Sequence, residues 1–300
     1  MSGAGRDLYT GDDVVSPHVL GEDQVRALLS PDRVLAHVEG PRHGDALAAL
    51  AGLRPGGQLR KAIAGRVPGD APDTALLHRL LDDVSTASFV STHAWAAWAP
   101  GWVEKYRAAG LADRIDRDVT DVCVGFRAGS AALAANGRSS VGRMTQLVAP
   151  PPLRSDDPYS WHQLEPDIGP NQRRTRRMDL WSEGGLLHVN ADFQDSAAVP
   201  DAQGDRMIFH EYRIEATLEP QDLVLQAISV TPGVLPFGEC VAGVKSAQGL
   251  VGRPVVGFHS LISATLQGSA GCTHLNDMMR ALRDVVAMRD RLMEATADGG

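Results

Sequence analysis

The sequence is poor in aromatic residues and in cysteine, and it has no long apolar run. Aromatic residues make up 5% of the 300 residues, so alanine, valine and leucine must supply much of the core packing. The three cysteines, Cys123, Cys240 and Cys272, are odd in number and far apart, which argues against a disulfide framework and favours a reducing compartment. No apolar run approaches the roughly 20 residues that span a bilayer, and the polar N-terminus does not resemble a secretory signal. These features predict a cytoplasmic protein with no membrane partner.

Positive charge is scarce as well. The chain has 29 lysines and arginines against 37 aspartates and glutamates, which gives a formal net charge of -8. Binding to the phosphates of a nucleic acid requires a concentrated basic surface, so nucleic acid is not expected to be the main partner. The basic run from Arg173 to Arg177 is interpreted as arginines that face outward along a strand.

Several catalytic signatures are missing from the chain. It has no G-x-G-x-x-G or P-loop for a nucleotide, no G-x-S-x-G for a serine hydrolase and no deaminase zinc signature. A nucleotide cofactor is therefore not expected. The expected partner is a small-molecule substrate, and a homo-oligomer is compatible with the sequence. The composition, rich in Ala, Gly, Arg and Asp, is typical of a high-GC bacterial genome.

The patterns along the chain change twice. Ala75 to Trp98 is the strongest helical stretch, and Trp102 to Ile115 fits a second helix. Residues 1–150 are therefore predicted to be a mainly helical N-terminal extension. Residues 151–172 are rich in proline and are predicted to be a connection. Residues 173–300 are predicted to be an α+β domain.

The C-terminal part contains four successive segments with the alternation of β-strands. In Arg206–Pro220, for example, apolar residues share one face with His210. Four consecutive strands with short links predict an antiparallel sheet. Two helices are predicted after it, at about 238–250 and 273–294. The predicted fold class is α+β, with a four-stranded antiparallel sheet covered by helices in the C-terminal half.

The segment GCTHLND, from Gly271 to Asp277, brings a thiol, an imidazole and a carboxylate close together. Thr273 can cap the predicted helix. Cys272 then lies at the helix start, where unpaired N–H groups and the helix dipole favour a thiolate. His274 and Asp277 are three residues apart and share a helix face. The segment fits the rim of an active site, a metal-binding corner, or only a helix start with a buried thiol.

A second cysteine motif, PFGEC, ends at Cys240 between a predicted strand and a predicted helix. If the two helix starts converge, Cys240, Cys272 and His274 offer ligands of the kind that tetrahedral zinc takes. The usual Cys-x-x-Cys knuckle is absent. Cys123 lies in DVCVGF, which fits either a strand or a buried helix, and it is expected to be buried and inert. Zinc or iron is the cofactor that these residues allow.

Other polar residues have two interpretations each. His210 is either a satisfied core residue or part of a pocket floor beneath the two helix starts. Asp195, in FQDS, is expected to cap a turn at a strand end. In DDPYSWH, residues 156–162, the aspartates open a turn, and the Trp-His pair either covers a domain seam or closes over a cleft.

A resemblance to a known family is carried by four segments: RRTRRMDLW, ADFQDS, HEYRIEATLEPQDLVLQAISVTPGVLPFGEC and GCTHLNDMMRALRDV. They resemble a bacterial family known as domain-of-unknown-function family 2889. The resemblance covers about residues 173–287, and GCTHL and PFGEC are its most specific parts. No reaction is established for the family, so the resemblance implies a fold. Residues 1 to about 165 look like an extension beyond this core.

The layout of the same region also resembles the U-type iron–sulfur scaffold. A strand, a cysteine after a turn, a helix and a Cys/His pair that opens a last helix occur in that order, so Cys240, Cys272 and His274 match its ligand positions. The sequence departs from the scaffold at two points. Thr273 separates the matched Cys and His, and no cysteine lies between positions 240 and 272. The resemblance implies a similar sheet-and-helix layout.

These patterns together predict a cytoplasmic enzyme that acts on a small organic substrate. Cys272 is the candidate thiolate or metal ligand, His274 the candidate acid, base or ligand, and Asp277 its orienting carboxylate. His210 and Cys240 complete the predicted site. The alternative is a metal- or cluster-binding protein that carries or senses without turnover, and a third interpretation is a plain interaction module.

Overall fold

A computed structural model describes residues 1–11, 17–90, 98–99, 101–110, 118–137, 159, 162, 169–200 and 206–298. The chain forms two compact units. The first comprises residues 1–89, 255–257 and 281–300, and the second comprises residues 90–254 and 258–280. Within the described ranges, every helix is too short or too polar to cross a bilayer.

The first unit combines a three-stranded antiparallel sheet with helices. Its elements are β1 (Ser2–Tyr9), β2 (His18–Leu29), β3 (Leu35–Glu39), α1 (Gly44–Ala48), α2 (Gly57–Arg66), α3 (Ala75–Val90) and a C-terminal helix (Val285–Asp298). One core joins the sheet to α1, α2 and α3. Its buried members are Val25, Ala27, Leu35, Val38, Leu47, Leu50, Leu59, Ile63, Val67, Leu77, Leu81 and Val84.

The sequence analysis predicted a mainly helical extension and did not predict this N-terminal sheet. Strand β1 shows why the sheet was missed. A β-carbon at Gly3 would lie 3.2 Å from Leu80 Cδ2, and one at Gly5 would lie 3.3 Å from Leu76 Cδ2. The glycines therefore let α3 approach the strand closely. Because glycine carries no side chain, β1 has no alternating apolar pattern that a sequence reading can detect.

The second unit contains the predicted four-stranded antiparallel sheet, which is confirmed, as is the α+β class. The strand order follows the chain, β4-β5-β6-β7. The elements are α4 (Trp102–Ala108), a 3₁₀ turn (Val124–Phe126), β4 (Gln172–Glu183), β5 (Leu186–Ala198), β6 (Arg206–Leu218), β7 (Leu225–Pro232), a 3₁₀ helix (Gly238–Leu250), α5 (Phe258–Thr265) and α6 (Thr273–Ala281).

The helices differ in detail from those predicted. The first predicted helix after the sheet is a 3₁₀ helix, and its three glycines lower the α-helical propensity. The second is divided by a 3₁₀ turn, Leu282–Asp284, into α6 and the C-terminal helix. Helix α5 was not predicted. Next to Cys123 the chain forms only the three-residue 3₁₀ turn Val124–Phe126, in place of the predicted strand or buried helix, and this cysteine is half-buried.

Some predictions lie mostly outside the described residues. Residues 151–172 are described only in part, so the predicted domain limits stay predictions. Asp156, Asp157 and Trp161 lie outside the described residues, so their predicted roles also stay predictions. His162 is described and is exposed.

Candidate functional site

One face of the four-stranded sheet is apolar along most of its length and becomes charged at one end. Alternate residues of β5 share this face, and they change from the buried Val189 and Phe193 to Asp195. In the strand register, Asp195 lies opposite Arg174 of β4 and His210 of β6. These three residues form a cross-strand line, here called the polar row.

Helix α6 brings three more ionisable side chains to the polar row. His274, Asp277 and Arg280 follow at intervals of three residues, so they lie along one stripe of the helix. Asp277 accepts one hydrogen bond from Arg280 and another, 3.0 Å long, from Nη1 of Arg174. The polar row and these three residues together are called the polar cluster. All six of its side chains are at least nine-tenths buried.

Arg174 holds Asp195 with a forked pair of hydrogen bonds. Its Nε and Nη2 donate to the two carboxylate oxygens, each over 2.8 Å, which is the strong bidentate geometry. Burial alone raises the pKa of a carboxyl. Here the charge and hydrogen bonds of Arg174, helped by His210 and His274, outweigh burial and hold the pKa of Asp195 well below its usual range. Asp195 is therefore ionised at neutral pH.

Two histidines face the same oxygen, Oδ2 of Asp195. Nδ1 of His210 lies 3.6 Å from it and Nε2 of His274 lies 3.9 Å from it. The two rings are stacked, with centroids 3.3 Å apart and planes at 18°. Burial lowers the pKa of His210, and the neighbouring Asp195 opposes this only partly. A neutral His210 imidazole is thus present at neutral pH.

The cysteines lie near a different residue, Tyr212, which follows His210 on the same face of β6. The Tyr212 hydroxyl donates to Sγ of Cys272 over 3.2 Å. Burial raises the pKa of the Cys272 thiol and outweighs the hydrogen bonds from Tyr212 and from the first N–H groups of α6. Burial likewise raises the pKa of Cys240 to about 12. The helix start was expected to favour a thiolate at Cys272, but the desolvation of a buried charge is the stronger effect.

The part of the chain that contains the polar cluster has a family match. Residues 172–288 match the family described as protein of unknown function, DUF2889. This segment is therefore similar to the DUF2889 family. The resemblance inferred from the four sequence segments is confirmed, whereas the likeness to the U-type iron–sulfur scaffold is not supported. No curated protein and no solved structure matches the chain.

The segment that matches the family model brings together three of the predicted site residues. His210, His274 and Asp277 all belong to the polar cluster. Among the described residues, the group with metal-binding geometry is Asp195, His210 and His274, whose donor atoms all lie within 4.8 Å of one another. Cys240 and Cys272 do not join His274 in such a group. The catalytic and metal-binding roles of the predicted residues stay predictions.

Three members of the polar cluster were missed as site residues. Asp195 was expected to cap a turn, but β5 continues to Ala198 and Asp195 is completely buried. Arg174 was expected to face outward, but its side chain is only 6% exposed. Arg280 was not singled out. One signal was available in the sequence: the buried face of β5 continues through Phe193 directly to Asp195, which places a carboxylate on a core position.

Proposed function

We propose that the protein is an enzyme that acts on a small organic substrate at the polar cluster. One observation carries the proposal: two stacked histidines face a buried, ionised carboxylate that an arginine holds in place. Burying each charge costs several kcal/mol before pairing offsets it, and apolar residues of similar size often stabilise a fold equally well. Ionisable groups with perturbed pKa values are concentrated at functional sites.

The arrangement supports chemistry that requires lone pairs at fixed positions. At neutral pH, His210 is neutral and Asp195 is negative, since their pKa values are both lowered. Such groups accept a proton from a substrate or hold an electrophile that polarises it. Arg174 acts as a positioning residue, because it fixes Asp195 on one side and contacts Asp277 on the other.

Cys272 takes a different role in this proposal from the one that its motif suggested. Its buried, neutral thiol accepts a hydrogen bond from Tyr212, so it anchors the first turn of α6 to β6. The spacing of GCTHLND then serves to present His274 and Asp277 to the polar row.

A second candidate function is a metal-binding protein that carries or senses an ion without turnover. The close approach of the donor atoms of Asp195, His210 and His274 favours it. The two candidates differ in turnover and use the same residues. For either one we infer a bacterial, cytoplasmic setting, which the three free cysteines and the composition support.

A ligand screen tests the proposed function. Small organic acids, amines and alcohols are added to the wild type, to His274→Gln and to His188→Gln, and the melting temperature is measured. His188 is the matched control, because it lies on β5 but on the opposite face of the sheet, stacked on Trp181. A true ligand at about 100 times its dissociation constant stabilises the folded state by about 2.7 kcal/mol. We expect this in the wild type and His188→Gln, and not in His274→Gln.

Each ligand found is then incubated with the wild type, and its conversion is followed by mass spectrometry. Conversion that His274→Gln and His210→Gln abolish supports the enzyme. Conversion that both variants retain in full contradicts the proposed site.

A further inference from the structure

We propose that Asp195, His210 and His274 hold one divalent transition-metal ion of the Zn²⁺ or Fe²⁺ type. The proposal deepens the proposed function, since it uses the same cluster and names its cofactor. Two neutral imidazoles and one carboxylate are the protein ligands of many catalytic zinc sites and of non-haem iron(II) sites. Both leave positions open for water or substrate.

The distances in the structure are close to those that an ion requires. With metal–ligand bonds of about 2.0–2.2 Å, neighbouring donors around a tetrahedral ion lie roughly 3.3–3.5 Å apart. Oδ2 of Asp195 lies 3.6 Å from Nδ1 of His210 and 3.9 Å from Nε2 of His274. Binding therefore shortens these two distances by a few tenths of an ångström. It also turns at least one imidazole out of the stack, because an imidazole binds an ion in its own ring plane and the two planes are nearly parallel.

The forked bond from Arg174 leaves Asp195 able to coordinate. A carboxylate offers about four lone-pair positions, and Arg174 uses one on each oxygen. The remaining position on Oδ2 is on the oxygen that both histidines face. Carboxylates that bind metals usually accept a hydrogen bond from an outer partner that orients them. Arg174 supplies that bond here.

His210 provides a further observation. Its Nδ1 is buried, and its contact with Oδ2 of Asp195, at 3.6 Å, is longer than a normal hydrogen bond. A buried nitrogen that is held only by so long a contact is poorly satisfied. An ion beside Oδ2 of Asp195 would satisfy this nitrogen.

The charges of the cluster indicate what binds at the open positions. Arg174 and Arg280 balance Asp195 and Asp277, so a divalent ion adds two uncompensated positive charges in a buried place. In such surroundings an anionic ligand is strongly favoured. The substrate class that follows is a small organic anion, such as a carboxylate.

A titration with Co²⁺, followed by its visible absorption, tests the metal site. Co²⁺ substitutes for Zn²⁺, and its spectrum reports the ligands. We expect one Co²⁺ per chain in the metal-free wild type and in His188→Ala. In His210→Ala and in His274→Ala we expect binding that is weaker by about 100-fold or more, since loss of an outer partner alone costs 10–100-fold.

Circular dichroism and melting temperature establish that each variant is folded, and the wild-type titration needs no variant at all. Absence of Co²⁺ and Zn²⁺ binding by the wild type overturns the proposal, as does undiminished binding in both folded histidine variants. The proposed function fails separately. Conversion that persists in the presence of a chelator would support the proposed enzyme and would contradict a metal ion as its cofactor.

Discussion

Replacing Arg174 with methionine is expected to lower the free energy of unfolding by about 3–5 kcal/mol. The change leaves Asp195, which is 0% exposed, without the forked pair of 2.8 Å hydrogen bonds that holds it ionised. It also removes the guanidinium that lies 4.9 Å from the Phe193 ring centroid. Urea unfolding, followed by circular dichroism, measures the loss.

The same sheet offers a matched control pair. Arg213 donates to Asp192 over the same 2.8 Å, also between neighbouring strands, but its side chain is 62% exposed. Exposed ion pairs contribute about 0–1 kcal/mol, so Arg213→Met should change stability by less than about 1 kcal/mol. Equal losses for the two arginine variants would show that burial does not set the strength of the Arg174 pair.

A double variant separates stability from function. With Arg174→Met and Asp195→Leu together, the buried pair is replaced by apolar side chains, and Asp277 keeps its bond to Arg280. Such replacements are often neutral or stabilising. We therefore expect most of the lost stability to return, while Co²⁺ binding is lost because the ligand Asp195 has been removed. This result would mean that the pair is kept for its site and not for the fold.

Cys272 is expected to react with a thiol reagent at least about a thousandfold more slowly than Cys123. The Cys272 side chain is buried beside Tyr212, and its pKa is raised, so labelling requires opening of the structure. If the opening that exposes Cys272 costs about 5 kcal/mol of free energy or more, which is the typical range of global stability, it slows labelling by three orders of magnitude or more. Burial also raises the pKa of Cys123, but this side chain is only half-buried and can react without global opening, so it serves as the internal reference.

Iodoacetamide labelling, with peptide mass spectrometry at each time point, measures the rate of each thiol between pH 7 and 9. Urea-unfolded protein gives the rates without protection. If Cys272 labels as fast as Cys123 and its rate is already maximal near pH 7, Cys272 is a thiolate, as the helix start favours. The assignment of a neutral, buried thiol to Cys272 would then be wrong.

The sequence predicts the sheet and the helix that build the candidate site because their patterns are local. Alternation defines β5 and β6, and the spacing within GCTHLND correctly places His274 and Asp277 on one face of α6. The polar row is not local. Arg174, Asp195 and His210 meet only through the strand register, and a shift of one residue would turn each side chain to the other face.

The balance of opposing effects at a single residue is equally hard to predict from sequence. The position of Cys272 at a helix start is readable, but its complete burial is not, and burial decides the direction of its pKa shift. In the N-terminal sheet, Gly3 and Gly5 act by having no side chain, so the contact with α3 leaves no hydrophobic pattern.

Elemental analysis of the purified, untagged protein tests most directly whether the polar cluster, and not the cysteines, is the functional centre. The wild type is compared with His274→Ala and with Cys272→Ser. We predict about one zinc or iron ion per chain in the wild type and in Cys272→Ser, and none in His274→Ala. Metal that is lost in Cys272→Ser and retained in His274→Ala would contradict this account and would indicate that the cysteines bind the metal.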